Sequence, residues 1–167
     1  IAFYSALIEA GILPESELET YGSDDSRLPM SGMASYTPAM EISGGSLGQG
    51  LPIAVGMALA LRQKRNPAFV YNSMSDGELD EGSTWEAAMS ASHHQLGNLV
   101  TLVDINNMQA DGVSGKVLGF EPLGAKWEAF GWHVQRVDGN DLPAVLAAFD
   151  TARNLKEKKP RAILFDT

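Results

Sequence analysis

Residues 68–107 read AFVYNSMSDGELDEGSTWEAAMSASHHQLGNLVTLVDINN, and the fold follows from how the periodicity changes along them. Ala68 to Met74 is an extended run that ends in Ser75-Asp76-Gly77, and a helical stretch follows from about Gly82 to Leu96. Leu99 to Ile105 is then the strongest strand of the chain, nearly all apolar, closed by Asn106-Asn107. Two strands joined by a helix of ten or more residues form a crossover between parallel neighbours, and a nearly continuous apolar strand belongs in a sheet covered on both faces.

The same alternation continues on both sides. Downstream lie a helix from Pro122 to about Phe130, a strand Trp132 to Val137, a turn Asp138-Gly139-Asn140, a helix Leu142 to Lys158 and a strand Arg161 to Phe165. Upstream, Leu51 to Arg65 reads as a helix in which Ile53, Met57, Ala60 and Leu61 recur at helical spacing, entered through the glycine-rich turn Gly44 to Gly50. Residues 22–50 form a long loop, of a length that is usually functional or disordered. Residues 1–11 end a helix at Gly11, and Pro14 starts a short one over Glu15 to Tyr21. The expected fold class is therefore α/β, an open, mostly parallel sheet with helices on both faces, and residues 1–167 are expected to form a single domain. The chain starts at Ile1 inside an apolar helical pattern and stops at Thr167 straight after a strand-like run, so both ends are expected to be cut.

Composition narrows the chemistry. With 12 Lys+Arg against 21 Asp+Glu the formal net charge is 12 − 21 = −9, which repels a phosphate backbone and an anionic membrane surface. No apolar run approaches the roughly 20 residues of a membrane span. The absence of cysteine excludes disulfides, a thiolate nucleophile and Cys-ligated metal, so any metal must sit on oxygen or imidazole.

In an open parallel sheet, ligands bind outside the carboxyl ends of the strands. Two such ends carry oxygen ligands: Asp76 after one strand and Asn106 after the next, with Met108 two residues later. If those strands are neighbours, a carboxylate, an amide oxygen and a loop carbonyl converge, a set suited to Mg²⁺ completed by phosphate oxygens and water. Gly77 would let the backbone approach the phosphates. Taken singly, Asp-Gly and Asn-Asn are equally readable as ordinary turn formers.

At this point the sequence resembles the transketolase family. Gly45-Ser46-Leu47-Gly48-Gln49-Gly50 with Ala54-Val55-Gly56-Met57-Ala58 looks like its signature, and Ser75-Asp76-Gly77-Glu78-Leu79-Asp80-Glu81-Gly82 resembles the start of the thiamine diphosphate motif that Asn106 closes. Trp85-Glu86-Ala87-Ala88 and Asp138-Gly139 add to a likeness that runs the length of the chain and is closest to the amino-terminal, diphosphate-binding subunits of split transketolases. The resemblance implies the thiamine diphosphate-binding fold (PP module, incomplete here), with Asp76, Asn106 and the Met108 main-chain oxygen on Mg²⁺ (or Ca²⁺ or Mn²⁺). It places Gly77 against the diphosphate and Gly45, Ser46, Leu47 and Glu78 among the cofactor-binding residues. Glu81 matches an acidic residue near the interface with a partner's catalytic glutamate. The implied reaction moves a two-carbon ketol unit from a ketose to an aldose, with the cofactor carrying the chemistry. It needs a carboxy-terminal subunit bearing the pyrimidine-binding module, as a dimer or heterotetramer, in the cytoplasm, on a sugar or sugar phosphate, and leaves this chain inactive alone.

Two positions depart from the family pattern. Ser75 replaces the first glycine of Gly-Asp-Gly, which is tolerable if the backbone there needs no positive φ. Met33, in Gly32-Met33-Ala34, falls where the family commonly has a substrate-contacting histidine and can neither donate a hydrogen bond nor exchange a proton. Of the three histidines, His93 and His94 end a helix, where a cation suits the dipole, and His133 sits within a strand. Trp85, Trp127 and Trp132 follow helical or strand patterns and are expected in the core or an interface. Glu78, Asp80 and Glu81 could also be a solvated helix start. Alternative functions are a decarboxylase or dehydrogenase component using the same cofactor, against which the Ser46 to Gly50 segment argues, and a non-catalytic, degenerate fragment that binds a partner. A Rossmann dehydrogenase is disfavoured by the lack of Gly-x-Gly-x-x-Gly between a strand and a helix.

Overall fold

The periodicity change at residues 68–107 is realised as a strand–helix–strand crossover. In the computed structural model, which describes residues 1–167, the chain runs α1 (Ala2–Glu9), a 3₁₀ turn Glu15–Thr20, α2 (Gly50–Gln63) and β1 (Val70–Ser75). It continues through a second 3₁₀ turn Asp76–Asp80, α3 (Gly82–His93), β2 (Leu99–Ile105), β3 (Met108–Gln109), β4 (Gly112–Val113) and α4 (Ser114–Val117). α5 (Leu123–Ala129), β5 (His133–Asp138), α6 (Leu142–Asn154) and β6 (Arg161–Asp166) complete it.

Two compact units result, Ile1–Ser46 and Leu47–Thr167. In the first, Tyr4 and Leu7 of α1 pack with Leu13 and Leu28, and the Tyr4 hydroxyl donates to the Pro29 carbonyl at 2.6 Å. Residues 22–46 contain no helix or strand, as their composition predicts.

The second unit is a four-stranded, all-parallel sheet in the order β1-β2-β6-β5. β1 lies beside β2 in the register Ser75 to Asp104, so Asp76 and Asn106 leave adjacent strands at the same sheet edge. Right-handed crossovers decide which face each helix covers. α3 and α5 make crossovers in one direction, and α6 returns the chain from outer β5 to inner β6. Accordingly Ala88, Leu123 and Trp127 share one core with Leu99 and Val103, while Ala148 and Ala152 of α6 pack on Val100 and Ile163 of the opposite face. Asp141 caps α6 by accepting from the Ala144 N–H at 3.4 Å.

The three tryptophans pack against one another in sequence, the first pair tilted and the second edge-to-face. Trp85 and Trp127 ring centroids are 5.3 Å apart, and Trp127 and Trp132 are 4.7 Å apart. Trp127 and Trp132 are buried, Trp85 partly so, and the indole N–H groups of Trp85 and Trp132 donate to the carbonyls of Leu79 and Ala88. They are core anchors, each burial of this size contributing about 2–3 kcal/mol.

Local structure departs from the periodicity reading in four places. α2 buries Leu51, Ala54, Val55 and Ala58, while Ile53 and Ala60 are exposed. This helix is apolar on every side, so spacing alone cannot select the face that meets the sheet. Glu15–Thr20 is 3₁₀ and not α-helical. α6 stops at Asn154, four residues before Lys158. Residues 107–121, expected as plain loop, contain the β3–β4 hairpin and α4.

Candidate functional site

At the carboxyl end of β1, Ser75 is extended (φ −93°, ψ 169°), so the family's glycine is not required by backbone conformation at that position. The chain then turns through Asp76–Asp80, which buries Asp76 completely and Gly77 as well. Asp76 Oδ2 accepts a 2.7 Å hydrogen bond from Ser114 Oγ. Asp76 Oδ1 is buried and has no partner. An unpaired buried carboxylate oxygen is costly unless a cation or donor from outside the chain completes it.

Asn106 follows β2, the neighbouring strand. Its Nδ2 donates to Asp104 Oδ2 at 2.9 Å and its Oδ1 accepts from the Met108 N–H at 2.9 Å, so the side chain is oriented from both ends while remaining solvent-accessible. An amide oxygen has a second lone pair left to share. Asp104 is fixed in turn by the Thr167 hydroxyl, which donates to its Oδ1 at 2.7 Å. Asn107 adopts φ +59°, one of the few non-glycine residues that tolerates it, and its carbonyl accepts from the Ser114 N–H at 3.0 Å. That turn carries the β3–β4 hairpin and delivers Ser114 to Asp76.

The glycine-rich turn is represented in the second unit by Leu47, which is half exposed, and by Gly48. Gly48 takes φ +77°, and a Cβ on it would fall 2.5 Å from Ser83 Oγ and 2.6 Å from Glu81 Cβ. Only glycine fits. Its N–H donates to Glu78 Oε1 at 3.2 Å and its carbonyl accepts from Ser83 Oγ at 2.8 Å. Burial pushes the Glu78 carboxyl above the usual glutamate range; the N–H groups of Gly48 and Ser75 pull it down, and nearby Glu81 adds a smaller push upward. Glu81 itself is exposed at the N-cap of α3 without a capping bond. In the first unit, Gly45 (φ +117°) and Ser46 are exposed.

Gly77 has neither a positive φ nor a close neighbour. A Cβ there would meet only the Gln109 side chain, at 3.6–3.8 Å, an ordinary contact. Nothing within the chain demands glycine at this position. The histidines lie away from the carboxyl edge: His93 closes α3, His94 caps it, and His133 opens β5 at the amino edge.

Two residues of this region escape sequence reading. Ser114 is invisible because its partner is 38 positions away. Gln109 belongs to the hairpin whose one local signal is Asp111-Gly112, with Gly112 at φ +134°.

A buried carboxylate following one parallel strand and an asparagine following its neighbour come together at the carboxyl edge of an α/β sheet, the place where open parallel sheets take their ligands. The chain matches, over residues 2–167, the family model for the transketolase thiamine diphosphate-binding domain. It is 68% identical over its whole length to a transketolase family protein of Sinorhizobium fredii, covering 60% of that protein. It is 40% identical over 99% of its length to an apulose-4-phosphate transketolase subunit from Actinobacillus succinogenes, covering 59% of it. Among solved structures it superposes on the transketolase of Pichia stipitis with a TM-score of 0.84 and 31% identity, over 91% of this chain and 24% of that one. The chain belongs to the transketolase family. It spans about 60% of the length of these two curated relatives.

Proposed function

We propose that this chain is the diphosphate-binding component of a split transketolase, and that both of its units belong to one thiamine diphosphate-binding domain. The observation that carries this reading is the orphaned Asp76 Oδ1 at a fully buried residue, next to the strand that ends in Asn106. A hard divalent cation fits that donor set, with Asp76, Asn106 and the Met108 main-chain oxygen as its protein ligands and Mg²⁺ the natural occupant. Gly77 fits a diphosphate lying against its backbone, because neither φ nor packing within the chain explains a glycine at this position.

When bound, thiamine diphosphate supplies the electron sink for breaking and forming the carbon–carbon bond of ketol transfer. The residues of this chain bind and orient. Ser114 holds Asp76 by Oδ2 and leaves Oδ1 free for the cation. Asp104 fixes the Asn106 amide so that its oxygen need not reorganise on metal binding. Glu78 and Ser83 hold Gly48, and Gly45, Ser46 and Leu47 are proposed as cofactor-binding residues, Gly45 and Leu47 toward the thiamine rings.

A second subunit completes the site in this reading. Glu81 is exposed and its carboxylate makes no hydrogen bond within the chain, as an acidic residue meeting a partner's catalytic glutamate would be, and Ile53 on α2 (40% exposed) and Met89 on α3 (51%) are large apolar residues left exposed in the same unit. The Actinobacillus relative is itself named for one subunit of its transketolase, which supports the split arrangement. The substrates proposed are a ketose donor and an aldose acceptor. Met33, which offers no hydrogen bond donor, favours a sugar other than the common sugar phosphates.

The test is calorimetric titration of thiamine diphosphate with Mg²⁺ into the full gene product and its Asp76→Ala variant. We expect Mg²⁺-dependent binding in the parent and a loss of at least about 100-fold in the variant. Equal binding by both would overturn the metal assignment.

A further inference from the structure

Gln109 packs its side chain over Gly77, with Cγ 3.6 Å, Cδ 3.7 Å and Oε1 3.8 Å from where a Gly77 Cβ would stand. Its Nε2 is buried and has no hydrogen bond partner. The residue sits on β3, three positions after Asn106, held by the two-stranded pairing of Gln109 with Gly112. The loop Asp76-Gly77 is thus flanked by two orphaned buried atoms of opposite character. One is a carboxylate oxygen that wants a cation, Asp76 Oδ1. The other is an amide N–H group that wants an acceptor, Gln109 Nε2. A magnesium-bound diphosphate presents both complements at once: a cation and, attached to it, anionic oxygens.

We propose that Gln109 is a diphosphate-binding residue, its Nε2 donating to a phosphate oxygen of the ligand that lies along Gly77. This rests on the cofactor reading above and adds to it a side-chain donor from outside the Ser75 to Gly82 and Gly45 to Gly50 segments. The physical reason is cost. A primary amide nitrogen taken out of water with nothing to bond is destabilising, and the chain recovers that cost only when an acceptor arrives. The hairpin turn fixes the backbone of Gln109, so the donor is pre-positioned and little side-chain entropy is lost on binding. An amide is also the suitable group in a chain of net charge −9, because it recognises an anion beside a metal without competing for the metal as a carboxylate would.

The substitution that tests it is Gln109→Met, which keeps length and flexibility and removes the donor. Thiamine diphosphate with Mg²⁺, thiamine alone and inorganic pyrophosphate with Mg²⁺ are titrated into the full gene product, assembled with its partner protein, and thermal unfolding is recorded without ligand. We expect the variant to unfold at or above the parent's temperature, because an unsatisfied group has been removed. It should lose about 10- to 100-fold in affinity for thiamine diphosphate and for pyrophosphate, the range of a hydrogen bond to a charged group, and nothing for thiamine. Gln109→Glu, acceptor only and anionic, should lose more with both phosphates. Unchanged diphosphate affinity in Gln109→Met overturns the assignment, and so does a fall in ligand-free stability with no change in affinity, which would make Gln109 a packing residue. If the parent itself binds neither diphosphate, the cofactor reading fails and Gln109 falls with it, an outcome distinct from a parent that binds and a variant that binds equally well.

Discussion

Ser114 Oγ donates a 2.7 Å hydrogen bond to Asp76 Oδ2, and both residues are fully buried although 38 positions separate them in the chain. One oxygen of the carboxylate is thereby spent on holding the group still, and the other is left with no protein partner. The pair joins the first turn after β1 to the first turn of α4, so the Asp76 side chain and the β3–β4 hairpin are positioned together.

Ser114→Ala should therefore strand both oxygens. Leaving a buried acceptor unpaired costs about 1–3 kcal/mol, and urea unfolding of the ligand-free variant should show a loss in that range. Saturating Mg²⁺ with thiamine diphosphate should add less stability to the variant than to the parent, since ligand stabilisation of the folded state follows affinity and Asp76 is no longer held for the cation. An unfolding midpoint identical to the parent's would show that the hydrogen bond contributes nothing to Asp76.

Glu78 sets a pH dependence of definite sign. Its carboxyl is held above the ordinary range by burial, so the folded chain keeps a proton there that the unfolded chain has already released. The destabilisation is absent below the ordinary glutamate pKa and grows as pH rises from there through the raised one. Glu78→Gln keeps an oxygen able to accept from the Gly48 N–H and removes the charge. Thermal unfolding followed from pH 4 to pH 8 should give the variant the same stability as the parent at the acid end and a higher one at neutral pH; a variant that is less stable than the parent at neutral pH contradicts the account.

Arg161 offers a contrast at the amino edge of the sheet. It is 2% exposed and faces no carboxylate. Its guanidinium donates to the carbonyls of Gly97, Lys159 and Leu155 and lies 5.6 Å from the Phe69 ring centroid, and burial lowers its pKa. Arg161→Met should cost about 2–4 kcal/mol by leaving three carbonyls without their donor. Because the site is at the opposite, carboxyl edge, the folded variant should bind Mg²⁺ and thiamine diphosphate as the parent does. A change in affinity matching the change in stability would mean that the two edges are not independent.

Much of the architecture is legible in residues 68–107 and their downstream continuation. Leu99 to Ile105 is read as a strand with the boundaries the structure has, because its apolar run is buried on both faces and little else is compatible with it. Asp76-Gly77 and Asn106 are legible as the carboxyl-edge residues once a parallel sheet is inferred. α2 is legible as a helix, but its buried face is not: with apolar residues all round, the contact with the sheet chooses Leu51 and Ala54 over Ile53 and Ala60. The β3–β4 hairpin is hidden because two-residue strands carry no periodicity, and only Asp111-Gly112 hints at a turn.

The sequence by itself thus determines the order of strands and helices, the residues that end the strands and the family to which they belong, since all of these follow from local periodicity, turn chemistry and contiguous motifs. Strand order is decided only in three dimensions, where β6 enters between β2 and β5 and brings Thr167 to Asp104. So are the bond from Ser114 to Asp76, the hold of Glu78 on Gly48, and the two unpaired atoms flanking Gly77. Hydrogen bond satisfaction is a property of groups that meet across the fold, and whether a buried polar atom has been given a partner or left waiting for a ligand cannot be stated until every neighbour is in place.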